Sequence, residues 1–222
     1  MGKLIVIEGT DGSGKSTQFK LLTARLEQEQ HQFQKLVFPQ YAEPSSALIR
    51  MYLGGEFGTR PTDVNAYAAS AFYAVDRYAS YKKVWGEWYE QGGLIVSDRY
   101  TTSNAVHQAS KEPEEKQQAF LKWLYEFEYD QLGLPCPDLI LYLDVPTDFT
   151  EKMMRRREAD TNTRADIHEQ DLDYLATCRR TGKAAADYYG WTVINCVKDG
   201  RMRSIEDIHE EIYRHVAACL ED

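Results

Sequence analysis

A glycine-rich turn, a lysine and a serine stand together near the start of the chain, in Glu8-Gly9-Thr10-Asp11-Gly12-Ser13-Gly14-Lys15-Ser16-Thr17. The run from Gly9 to Ser16 fits G-x-x-x-x-G-K-[ST] at every fixed position. The spacing has a physical reason. Glycines let the backbone curl until its N–H groups face one anion, and a helix that starts at the lysine adds the positive end of its dipole. Lys15 then reaches the β- and γ-phosphates of a nucleotide, and the Ser16 hydroxyl holds Mg²⁺. Gly9, Gly12, Ser13, Gly14 and Thr17 complete this ATP cradle. The plainer reading, a glycine turn that merely joins strand to helix, does not require the Lys-Ser pair.

Asp98 closes the apolar run Leu94-Ile95-Val96-Ser97. An acid at that strand end is placed to meet the water shell of the same magnesium ion. Arg99 follows and points into the same cleft or, on a plainer reading, makes a surface salt bridge. Further on, Met154–Asp171 is too polar for core and carries Arg155, Arg156, Arg157 and Arg164. It is the candidate mobile lid, the alternative being an exposed basic helix face.

The elements that must position these groups alternate along the chain. Lys3–Glu8 reads as a buried strand, and a helix runs from about Lys15 to Gln32 with Phe19, Leu22 and Leu26 at helical spacing. Leu36–Phe38 is a second strand stopped by Pro39, Pro61–Tyr89 is helical, and Leu94–Ser97 is a third strand after Gly92-Gly93. Glu112–Leu132 is helical, Leu139–Leu143 is a fourth strand, and Glu151–Lys183 is helical with an interruption near Asp160–Thr163. Val193-Ile194 marks a fifth strand. Ser204 opens the last helix, with Asp207 in capping-box position and Ile208, Ile212 and Val216 on one face. This order predicts an α/β fold: a five-stranded parallel sheet with helices on both faces, of P-loop NTPase type. Residues 1–222 read as one kinase domain with a lid at about 154–171.

Bulk properties narrow the partners. The chain has 26 Lys and Arg against 35 Asp and Glu, a net charge of −9. A protein that grips a nucleic-acid backbone usually runs basic, so no nucleic-acid partner is expected. Cys136, Cys178, Cys196 and Cys219 lack metal-site spacing and read as free thiols. Leu4–Ile7 is too short for a leader, and no stretch reaches membrane-spanning length. The expectation is a cytoplasmic protein.

Taken with Glu8–Thr17, the tripeptide Asp98-Arg99-Tyr100 makes the sequence resemble the thymidylate kinase family, from the first strand to the last helix. The resemblance implies ATP and dTMP as small-molecule partners, Mg²⁺ as cofactor and a homodimer. It assigns Phe38-Pro39-Gln40-Tyr41 to the acceptor phosphate, with Phe38 and Tyr41 in contact. In Tyr73-Ala74-Val75-Asp76-Arg77 it puts Tyr73 on the thymine face, with Phe72 as the alternative one residue back, and Arg77 on a base oxygen. Asn104, His107 and Gln108 read the base edge and sugar, Arg99 clamps the acceptor phosphate, and Asp11 lies near the sugar 3′-hydroxyl and the transferred group. Gly12 and Ser13 leave the P-loop without an arginine, so the lid supplies the catalytic one, with Arg156 chosen among the four, and Glu169 is a lid-side acid. Two departures stand out. Many family members have arginine after Phe-Pro, where this chain has Gln40 and Tyr41, and whether Arg50 compensates stays open. Many also have tyrosine at His107, against a ribose 2′-hydroxyl.

Two other functions stay open on the residues alone. One is a kinase for a deoxynucleoside or another nucleoside monophosphate, against which Arg99 speaks because a nucleoside has no phosphate to clamp. The other is an ATP-binding regulator, which needs no second pocket.

Overall fold

The computed structural model describes residues 1–161, 167–168 and 171–221, the side chains of 156–161 excepted. The chain runs β1 (Lys3–Gly9), α1 (Lys15–Gln28), β2 (Phe33–Val37), α2 (Ala47–Leu53), α3 (Ala66–Ser80), α4 (Gly86–Glu90) and β3 (Leu94–Asp98). It continues through α5 (Thr101–His107), α6 (Glu114–Tyr125), β4 (Leu139–Asp144), α7 (Thr147–Thr161) and α8 (Leu172–Tyr189). β5 (Thr192–Asn195), a hairpin of β6 (Val197–Lys198) and β7 (Arg201–Met202), and α9 (Ile205–Glu221) complete it.

Five strands pair in parallel in the order β2-β3-β1-β4-β5. Leu4, Ile5, Val6 and Ile7 are fully buried because both faces of central β1 are covered. Ile5 and Ile7 pack with Phe19, Leu22 and Leu26 of α1 and Ile208, Ile212 and Val216 of α9. Leu4 and Val6 pack on the other face with Tyr81, Trp85, Tyr89 and Tyr100. Register fixes what lies at the sheet's carboxyl edge. Ile7 is opposite Asp98, Gly9 is opposite Leu143, and Val37 is opposite Asp98. The glycine loop, Asp98-Arg99 and Phe38-Pro39 therefore leave adjacent strand ends into one crevice, where open α/β sheets bind ligands.

Several boundaries differ from the sequence expectation. α1 stops at Gln28 because Gln30 turns left-handed (φ 64°), and β2 then starts at Phe33 rather than Leu36. That edge strand is half polar and shows little periodicity. The helical stretch from Pro61 is broken: Pro61–Asp63 is a single 3₁₀ turn, and Asn65 then caps α3 by accepting from the Ala68 N–H at 2.8 Å. α3 widens into a π-helical segment at Tyr81–Trp85, and α6 does so at Glu126–Gln131. Helices α2 and α5, seven residues each, and the β6–β7 hairpin are too short to show a period.

Candidate active site

The glycine loop is wound for an anion. Lys15 is buried, and its Nζ donates to the carbonyls of Gly9 and Thr10, both at 2.8 Å. Gly14 caps α1 at φ 90°, a left-handed conformation that glycine adopts at little cost. Burial pushes the Lys15 ammonium down to about 8; Arg99 adds to the shift, and the carboxylates of Asp11, Glu8 and Asp98 oppose it. Gly12 lies against α7: a Cβ there would stand 2.6 Å from the Thr150 carbonyl oxygen and 2.9 Å from Met154 Cγ.

Ser16 Oγ donates to Asp98 Oδ2 at 3.0 Å. Asp98 Oδ1 is buried and has no hydrogen-bond partner among the described residues. A hydroxyl beside a carboxylate oxygen in want of a partner suits a hard cation with its waters, so the residues fit magnesium.

A cleft of about 280 Å³ opens from this point. It is lined by Asp11, Phe38, Tyr41, Tyr73, Arg77, Arg99, Asn104, His107 and Gln108, together with Ser16 and Asp98. Phe72, the alternative for stacking, faces Phe57 at 5.9 Å between ring centres and does not line the cleft. Nor does Arg50: its Nη1 donates to the carbonyls of Tyr41 at 2.6 Å and Glu43 at 3.1 Å, bracing the loop after Pro39. Asp76 braces it from below, accepting from the Gln40 N–H and the Ser45 hydroxyl.

Arg99 bridges loop and cleft. Its Nη2 donates to Asp11, and its Nη1 lies 3.9 Å from Glu8 and 3.4 Å from the Ser103 hydroxyl. It holds φ at 69°, a conformation that costs about 1–2 kcal/mol for a residue with a Cβ. Such strain recurs at sites that aim a side chain. Burial alone raises the Asp11 carboxyl, but the Arg99 and Lys15 charges outweigh it and hold the group well below the usual carboxylate range. Glu8, fully buried, accepts from the hydroxyls of Thr102 and Ser103 and so anchors the start of α5.

Deeper in the cleft, Arg77 is pinned by Glu128. Its Nε donates at 2.7 Å and its Nη2 at 2.5 Å to the two carboxylate oxygens, with Glu128 fully buried. Asn104 Nδ2 donates to Glu128 Oε1 at 3.1 Å and to the Ser70 carbonyl at 3.3 Å.

His107 stacks on His168 with ring centres 5.6 Å apart and planes at 15°. His107 Nε2 faces Arg99 Nη1 at 3.5 Å, so that nitrogen is the acceptor and Nδ1 carries the proton. Burial pushes the His107 imidazole down to about 3; the Asp11 carboxylate opposes the shift, and the Arg99 and Lys15 charges add to it. His168 is held low for the same first reason, and its Nε2 lies 2.8 Å from the Tyr52 hydroxyl. Both rings are neutral at physiological pH.

In the predicted lid, Arg155 is exposed and pairs with Glu151 at 2.5 Å, one turn back on α7. Arg156 and Arg157 lie on the same helix with side chains outside the description, and Arg164 and Glu169 fall outside the described residues. Sequence reasoning missed Glu8, Glu128, Tyr52, Lys111 and His168. Glu8 adjoins the P-loop and was within reach of the strand pattern. The others carry no local signal: His168 lines the cleft, while Glu128 holds Arg77 and Asn104 from behind it, and Tyr52, bonded by Lys111 Nζ at 2.8 Å, holds His168.

A phosphate-winding loop, an acid beside its serine and a cleft that opens from both define a P-loop phosphotransferase. The family model for Thymidylate kinase matches residues 7–212. A thymidylate kinase of Mycobacterium tuberculosis is 30% identical over 194 residues, spanning 85% of this chain and 87% of that protein. The thymidylate kinase of Homo sapiens is 27% identical over 211 residues, 95% of this chain and 88% of that protein. That of Plasmodium falciparum is 28% identical over 221 residues, 97% and 90% respectively. The chain belongs to the thymidylate kinase family.

Proposed function

We infer that the chain transfers the γ-phosphoryl group of ATP to the 5′-phosphate of dTMP, giving ADP and dTDP. The observation that carries the reading is the shared wall: Asp11 and Arg99, joined to each other, belong to the P-loop side and to the acceptor cleft at once. Donor and acceptor phosphates are thereby brought to one place, which supplies much of the catalysis in such transfers.

In this reading Gly9, Gly12, Ser13, Gly14, Ser16 and Thr17 wrap the donor phosphates, with Lys15 on the β- and γ-groups. Ser16 and Asp98 hold Mg²⁺, which neutralises phosphate charge when bound. Arg99 turns from Asp11 to grip the acceptor phosphate beside Phe38 and Tyr41. An acceptor phosphate oxygen then bonds to the γ-phosphorus as the bond to the ADP oxygen breaks. Asp11 takes the sugar 3′-hydroxyl, while Tyr73 covers the base and Arg77, Asn104, His107 and Gln108 meet its edge and the sugar. A lid arginine, Arg156 by choice among Arg155, Arg156, Arg157 and Arg164, neutralises the transferring group, with Glu169 beside it. The 1–222 chain acts as one domain, and family resemblance supports a cytoplasmic homodimer. No described helix is long and apolar enough to cross a membrane.

The test is an acceptor panel with ATP-Mg²⁺: dTMP, dUMP, dCMP, UMP and thymidine. Thymidine should be inert, because it gives Arg99 nothing to hold. Turnover of thymidine at the rate of dTMP sinks the assignment.

A further inference from the structure

We propose that Glu128 is the positioning residue that sets base selectivity, by fixing which atom of Asn104 faces the cleft. The inference rests on the reading of the cleft as the site of a pyrimidine monophosphate. Glu128 comes from the π-helical segment after α6 and does not itself line the cleft.

The argument starts from the donor–acceptor inventory. A carboxylate only accepts, and so does a backbone carbonyl. The Asn104 atom that lies between Glu128 Oε1 and the Ser70 carbonyl must therefore be the amide nitrogen. With nitrogen committed, the atom Asn104 keeps for a ligand is its oxygen, and Asn104 lines the cleft. The same carboxylate takes Nε and Nη2 of Arg77, whose Nη1 reaches the Tyr100 carbonyl at 3.4 Å. Each terminal nitrogen carries two N–H groups, so Arg77 still offers donors to the cleft. The Thr101 hydroxyl adds a fourth donor to Glu128, at 2.8 Å.

One buried carboxylate thus writes a pattern of acceptor beside donor. Thymine and uracil present N3–H beside O4, its complement. Cytosine presents a bare N3 beside an amino group and meets acceptor with lone pair and donor with donor. Reversing the Asn104 amide would remove half of that mismatch. Glu128 forbids the reversal, because Asn104 Oδ1 would then face a carboxylate inside the protein. Glutamine at this position weakens the prohibition: its own amide N–H can donate to Asn104 Oδ1, which leaves the Ser70 carbonyl as the one acceptor opposing the turn of Nδ2 toward the cleft.

The experiment measures kcat/KM for dTMP and dCMP with the wild type and Glu128→Gln at saturating ATP-Mg²⁺. The dTMP-to-dCMP ratio should fall at least about tenfold in Glu128→Gln, the size of one buried hydrogen-bond mismatch. A purely structural role lowers both acceptors together and leaves the ratio unmoved, and that result overturns the proposal. Glu128→Asp guards against loss of folding: it keeps a charge opposite Arg77 but is one methylene too short to hold Asn104, and its ratio should fall as well. An unchanged ratio in either folded variant refutes the assignment. If the wild type already uses dCMP as well as dTMP, the base-reading cleft has failed, and that outcome is separate because it needs no variant.

Discussion

The backbone of Gly12 lies so close to α7 that a Cβ on it would stand 2.6 Å from the Thr150 carbonyl oxygen. Gly12 also holds φ at 76°, which disfavours any side chain. The contact seats the helix that carries Arg155–Arg157 directly on the phosphate loop. Gly12→Ala should lower stability by about 1–3 kcal/mol, from left-handed strain and the clash together. It should also cut kcat more than it raises KM for ATP, because α7 must shift. Denaturant unfolding beside steady-state kinetics measures both, and an alanine variant with native kcat would show that the seating of α7 is immaterial.

Lys15→Ala should leave less than about a tenth of wild-type turnover, since the ammonium is assigned to phosphate and the charge it loses is the one that cradles the γ-group. Its partners in the fold are two loop carbonyls rather than core side chains, so circular dichroism should stay native. Full turnover in that variant removes the loop from the chemistry.

The same lysine gives a pH dependence. Burial lowers its folded-state value to about 8, against 10.5 for the free side chain. The free enzyme therefore loses the ammonium as pH rises through about 8, and kcat/KM for ATP should decline above that point. Bound phosphate favours the charged form, so kcat should hold to higher pH. Stability of the ligand-free protein moves the other way: between about 8 and 10.5 the unfolded chain binds more protons, so the folded state gains as pH rises. A kcat/KM profile flat from pH 7 to 10 would contradict the placement of Lys15.

How far the site was legible follows from where its residues sit along the chain. Gly9–Ser16 is contiguous, and each position answers a local demand, so the loop could be read from eight neighbours. Asp98 was legible because an apolar run ended on it. Glu128 was not: it meets Arg77 across 51 residues and Asn104 across 24, on a helix whose pattern says only that it is amphipathic. Resemblance supplied Arg77 and Asn104 as ligand contacts, and only the folded chain shows that one buried acid holds both. The fold was legible for the same reason as the loop, since alternating apolar runs and breakers are local. β2 was read three residues late, because an edge strand has one flank unpaired and fewer buried positions to betray it, and the seven-residue helices α2 and α5 and the β6–β7 hairpin were too short to show a period.

Among the lid arginines, the expectation divides by environment. Arg155 sits in an exposed i,i+4 ion pair with Glu151, a contact worth about 0.3–0.5 kcal/mol. Arg155→Ala should therefore change little. At least one of Arg156→Ala, Arg157→Ala and Arg164→Ala should lower kcat far more than ATP affinity, because a contact to the transferring group strengthens in the transition state. Four variants with unaltered kcat leave the lid without a catalytic arginine.

The role proposed for His107 concerns the sugar. It lines the cleft beside Arg99 and stacks on His168, and burial pushes its imidazole down to about 3. Its charge is therefore absent throughout the range where the enzyme works, and acceptor kinetics should show no step from it between pH 5 and 8. Stability should respond instead. Between about 3 and 6.5 the unfolded chain holds the proton that the folded chain refuses, so the protein weakens as pH falls through that window. A neutral ring whose Nδ1 has no partner among the described residues has a donor to spare for a hydroxyl. The resemblance places the ribose 2′-position there, where many relatives carry tyrosine. UMP should thus be a better acceptor, relative to dUMP, than in relatives with the tyrosine. His107→Tyr should raise the dUMP-to-UMP ratio of kcat/KM by about tenfold, the scale of one hydrogen bond lost and one steric block gained. It should also move the acid-unfolding midpoint to lower pH, since the group that binds a proton on unfolding has gone. If the ratio stays fixed while the acid midpoint moves, His107 is a buried structural ring and the sugar is read elsewhere.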